Sequence, residues 1–75
     1  GTKYIEKLLR EAQRTLEELK RLLEELKEML KELERANATD ARLIAEVIRV
    51  IVEVLRASVE NQEMIIRILK AITEE

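Results

Sequence analysis

The chain has 75 residues, nearly half apolar and two fifths charged, with a single tyrosine and no cysteine, histidine or proline, which is the composition of long helices and coiled coils. Without cysteine or histidine there are no disulfides, thiolate or imidazole metal sites, cysteine nucleophiles or histidine acid-base chemistry; a chain this short then needs partners to bury enough surface. The net charge is −2, Lys and Arg alternate with Glu, and aromatics are almost absent, so nucleic acid finds neither a basic footprint nor a stacking platform.

In the first half the apolar positions step by three and four from Ile5 through Leu8, Ala12, Thr15, Leu19, Leu22, Leu26 and Met29 to Leu33. This is an a/d heptad seam with one polar member, Thr15. Leu9, Leu16, Leu23 and Leu30 add a third row, the width of a helix that covers a core from one side. The other four rows are solvated, with Glu6 and Arg10, and Glu17 and Arg21, at the favourable i,i+4 spacing. Gln13 falls in one of these exposed rows.

The segment Arg35-Ala-Asn-Ala-Thr-Asp40 breaks the period. Asn37 tolerates the left-handed conformation that ends a helix, Thr39 is expected as the N-cap of the next one, and Asp40 suits its positive end. Asn37-Ala38-Thr39 also matches a glycosylation acceptor, but the turn explains all three residues. The expected organisation is one helical hairpin over 1–75: a first helix over about 2–36, a turn at about 37–39 and a second helix over about 40–74. So short a connection makes it antiparallel.

The second helix is easiest to read from its charges. Arg42, Glu46, Arg49, Glu53, Arg56, Glu60, Glu63, Arg67, Lys70 and Glu74 step by four and three and form one narrow polar stripe. The remaining five rows are mainly apolar, as in a buried helix. The charges interrupt every apolar run well short of the roughly 20 residues a membrane span needs, and the first residues lack a signal-peptide core. A soluble, unexported chain is expected; its compartment is undetermined, recombinant cytoplasmic expression being the natural setting.

One covering helix cannot surround another. Leaving two apolar rows in water forfeits about 1.5 to 3 kcal/mol for each large side chain, a total comparable with the stability of a small domain. The expected fold class is therefore all-α: an antiparallel two-helix hairpin that assembles into a coiled-coil-like bundle, second helix inner and first helix outer. The first helix has nine leucines and no valine, whereas the second has seven isoleucines and five valines. The expected oligomer core is Ile44, Val47, Ile51, Val54, Ile65, Ile68 and Ile72. β-Branched residues at both core positions favour three or more strands. A homotrimer of six helices leads, with a tetramer as competitor and a dimer behind.

Ser58, Asn61 and Gln62 interrupt three apolar rows at the i, i+3, i+4 spacing, and an antiparallel hairpin sets Thr15 level with Asn61. A buried hydrogen-bonded layer of Thr15, Ser58, Asn61 and Gln62 with their symmetry mates is expected. A wrong register would leave buried amides unpaired at about 1 to 3 kcal/mol each, so the layer would set specificity. A ligand pocket, or Ser58 as a nucleophile, is the competing reading, but no histidine is present to activate the hydroxyl.

The Gly1-Thr2-Lys3-Tyr4 start, the Leu-Glu-Glu-Leu-Lys runs at 16–20 and 23–27, Ile51-Val-Glu-Val-Leu-Arg56 and the Ser58/Asn61/Gln62 cluster together resemble computationally designed helical hairpins. Those hairpins form homo-oligomers with buried hydrogen-bond networks in two concentric rings of helices. The resemblance spans the whole chain and departs from the pattern in showing only one clear polar layer. It implies an artificial, self-assembling structural scaffold that is not an enzyme and has no cofactor, metal or small-molecule substrate. Its partners would be copies of itself, without nucleic acid or membrane. The alternative is a binding module, or half of a designed hetero-oligomer, that buries the second helix against an unlike partner.

Overall fold

The computed structural model describes residues 2–36 and 38–74. Two helices of equal length, α1 (Thr2–Ala36) and α2 (Thr39–Thr73), pack antiparallel. The hairpin is a rod with extents of 57 × 14 × 13 Å. Its radius of gyration is 17.0 Å, where a globular chain of this length would have about 11 Å.

α2 begins one residue earlier than its sequence signals suggest. Ala38, extended at φ −111° and ψ 150°, occupies the N-cap without a side-chain hydrogen bond. Its carbonyl accepts from the Arg42 N–H at 3.0 Å. Thr39 is thus the first helical residue and not the cap, while Asp40 keeps its place in the first turn beside the positive end of the dipole. The expectation for Asn37 lies outside the described residues. At the far end Glu74 caps the helix, its N–H donating to the Lys70 carbonyl at 3.0 Å.

The seam between the helices uses two rows from each. From α1 come Ile5, Ala12, Leu19, Leu26 and Leu33, with Leu9, Leu16, Leu23 and Leu30 beside them; from α2 come Ala41, Ile48, Leu55 and Leu69, with Ala45, Val52, Val59 and Ile66. At its centre Leu23, Ile48 and Val52 pack together, flanked by Leu26, Leu30, Leu33 and Leu55. Ala45, the most enclosed side chain at 2% exposure, sits in the same seam.

Within one chain only one of the two rows of the a/d seam of α1 lies against α2. The row Leu8, Thr15, Leu22, Met29 does not lie between the helices: Leu22 and Met29 are exposed, as is Thr15. α1 is rotated so that the Leu9 row points at α2 and the Leu8 row points sideways.

Local charge pairing also differs from expectation. The exposed ion pairs are i,i+3, joining Glu24 to Lys27, Glu28 to Lys31 and Glu46 to Arg49. Glu6 and Arg10, and Glu17 and Arg21, do not close among the described residues. One pair crosses the seam: Arg49 donates through Nη2 to Glu34 at 3.2 Å and through Nη1 to Glu46 at 2.6 Å. These side chains are all at least about a third exposed, so each pair contributes at most about 1 kcal/mol.

Candidate assembly surface

Around α2, the heptad rows follow one another in a fixed angular order. The two buried rows adjoin the Ile44 row, then the Val47 row, then the Leu43 row, and the charged stripe closes the circle. All three intermediate rows are exposed. The first holds Ile44, Ile51, Ser58, Ile65 and Ile72, the second Val47, Val54, Asn61 and Ile68, the third Leu43, Val50, Ala57, Met64 and Ala71. Ser58 alone among them is partly buried. Every large side chain expected in an oligomer core therefore lies on the outside of the hairpin: Val47 and Val54 are each 60% exposed.

The Glu34–Arg49 bridge fixes which sides of the two helices adjoin. Glu34 borders the Leu9 row of α1 and Arg49 borders the Ala45 row of α2, so this edge of the hairpin is polar. On the opposite edge the Leu8 row of α1 must border the Ile44 row of α2. Leu22 and Met29 therefore continue the apolar face of α2 across onto α1. The result is one surface four rows wide, running the length of the rod, with polar groups among the described residues at Thr15, Ser58 and Asn61 and, at the turn end, Asp40. Soluble monomers rarely expose contiguous apolar patches beyond a few hundred Å².

The hairpin divides the four residues of the expected polar layer. Gln62 turns inward and its Nε2 donates to the Ala12 carbonyl of α1 at 3.1 Å. That bond sets Thr15 and Asn61 within one helical turn of the same height. Ser58 donates to its own helix, at the Val54 carbonyl, 3.0 Å away. Thr15 and Asn61 are exposed and make no side-chain hydrogen bond among the described residues. Within one chain the four do not form a connected network; Gln62 belongs to the hairpin seam, and Asn61 stands in the middle of the exposed apolar face.

Other chemistry finds little support. The Ser58 hydroxyl donates to the backbone of its own helix, at the Val54 carbonyl. A shallow recess of about 280 Å³ lies near the turn, lined by Leu33, Glu34, Arg42, Ala45, Glu46 and Arg49, but its two carboxylates are the ones that hold Arg49. Among the described residues no group of acidic side chains is placed to hold a metal ion. Among the described residues no helix is long and apolar enough to cross a membrane.

The Glu34–Arg49 bridge and the sideways turn of the Leu8 row escape a reading of the sequence. The first has a separation outside helical spacing. The second has one faint signal, Thr15 and Met29 in a row otherwise leucine. No protein-family model, curated protein or solved structure matches the chain.

Proposed function

We propose that the chain is an artificial structural scaffold whose activity is to assemble with copies of itself into a helical bundle, α2 inside and α1 outside. The observation that carries this is the exposed apolar face: three adjoining rows of α2 and one of α1 without cover. The exposed surface of 5884 Å² exceeds by about 1,100 Å² what a compact monomer of 8.8 kDa presents. A standard interface takes about 800 Å² from each partner.

The two rows nearest the middle of this face, Ile44/Ile51/Ile65/Ile72 and Val47/Val54/Ile68, are wholly β-branched at their apolar positions. Such rows favour three strands or more over two, which supports a trimer of six helices. Uniform heptads and idealised element lengths support an origin by design. Thr15, Ser58 and Asn61 then form the polar layer between copies, while Gln62 serves the hairpin seam at the same height.

Mass by light scattering across a dilution series of the pure chain tests this reading. A single species at three times 8.8 kDa is expected, four times that mass would change the count, and a soluble monomer at all concentrations overturns the proposal.

A further inference from the structure

The two edges of the apolar face differ, and the difference says how copies meet. One edge is the strip Leu8, Thr15, Leu22, Met29 on α1; the other is the outer row of α2, with Val50, Ala57 and Met64 at its centre. From the inference that the face is covered by a second copy, we infer further that each contact is head-to-tail: the α1 strip of one copy receives the outer α2 row of the next, and Asn61 of that next copy reaches Thr15.

Three observations support this. First, the heights interleave. The hairpin register, fixed by the Gln62 to Ala12 bond and by Leu23 against Ile48 and Val52, puts Met64 between Leu8 and Thr15. It likewise puts Ala57 between Thr15 and Leu22, and Val50 between Leu22 and Met29. Copies related by rotation about an axis along the helices share these heights, so the side chains of one row enter the gaps of the other, as knobs enter holes.

Second, the polar groups coincide only in that arrangement. Asn61 lies five residues past the midpoint of α2, Arg56. If two α2 helices ran antiparallel and full length against each other, Asn61 would face Ile51 of the partner copy and its amide would be buried unpaired. Bringing the polar residues level in an antiparallel pair would require a slide of about 15 Å, which uncovers both ends. Parallel copies keep full overlap and set Asn61 beside the Thr15 and Ser58 of the neighbour.

Third, away from the ends of the rod Asn61 and Thr15 are the two polar side chains on this face that the hairpin leaves without a hydrogen bond among the described residues, one on the α2 side and one on the α1 edge. A head-to-tail contact joins them. It is also not self-complementary, so it propagates around a ring until the rotation closes.

Cysteine pairs test the inference, since the chain has no cysteine of its own. Leu22→Cys with Val50→Cys in one chain is expected to give, under mild oxidant, covalently closed rings on a non-reducing gel. Leu22→Cys alone gives no covalent species, because two α1 strips never meet. A mixture of Leu22→Cys and Val50→Cys single variants stops at covalent dimers. Met29→Cys with Leu43→Cys, staggered in the same way near the turn, repeats the test against an accident of geometry at one site. Double variants that scatter light as oligomers yet fail to cross-link in both pairs overturn the head-to-tail contact alone. Double variants that stay monomeric, when the parent chain is monomeric too, overturn the assembly reading beneath it.

Discussion

Asn61 and Gln62 are neighbouring carboxamides with different surroundings, and substitution should separate them. Gln62 donates to a carbonyl that already serves the α1 helix, so Gln62→Leu removes a partly buried hydrogen bond without orphaning its acceptor. A change within about 1 kcal/mol is expected in thermal or chemical unfolding, with the oligomer distribution unaltered. Asn61→Leu extends an uninterrupted apolar row. It should hold or raise the melting temperature while broadening the species seen by size-exclusion chromatography with light scattering, because no carboxamide on that face then resists a shifted register. A variant that unfolds would show that Asn61 is needed for the fold itself. At Ala45 the constraint is volume: Ala45→Leu forces a large side chain into the tightest point of the seam, at an expected cost of about 1 to 3 kcal/mol in unfolding free energy.

At the scale of the elements, the start of α2 is the place where a small change should help. Ala38 has the extended backbone of an N-cap but no oxygen to offer the free amide groups of the first turn. Ala38→Asp or Ala38→Ser should stabilise the hairpin by about 0.5 to 2 kcal/mol, read as a higher melting temperature at unchanged oligomer mass. A null result would mean that water satisfies these amides equally well. The misplacement of the cap by one residue has a physical reason. Thr39 and Ala38 are both compatible with the boundary, and the backbone angles that decide between them depend on how the connection spans the seam. The rotation of α1 was equally out of reach from pattern alone. Its three apolar rows are consecutive, with the Ile5 row in the middle, so either flank satisfies a covering helix; only contact with α2 selects the Leu9 flank. By contrast, two helices, an antiparallel turn and a surplus of apolar rows on α2 were legible, because heptad spacing and the break at residues 37–39 express them directly. The common height of Thr15, Ser58, Asn61 and Gln62 along the rod was legible, but not that Gln62 turns into the seam while Asn61 faces outward, since the rows containing Asn61 and Gln62 look equally apolar on either side of them.

For the molecule as a whole, folding and assembly should be separable at the exposed middle row of α2. Val47 and Val54 point away from α1, each 60% exposed, so glutamate at both positions removes no contact from the seam and stays within the helical repertoire. In the proposed bundle the same positions lie among the inner helices, against the Ile44 row of the next copy. Each layer would then hold three carboxylates without cations, and a buried, unpaired charge costs several kcal/mol. The double substitution Val47→Glu with Val54→Glu is therefore expected to reduce the scattering mass to that of one chain, 8.8 kDa. The midpoint of unfolding should lose its dependence on protein concentration, whereas the parent's midpoint falls on dilution, because only the parent couples association to folding. The helical circular dichroism that persists in this monomer measures what the seam of Leu23, Ile48 and Val52 supports without neighbours. An unchanged oligomer would mean that the middle row of α2 is not where the copies meet, and that the charged substitutions sit in water in the assembly as they do in the hairpin.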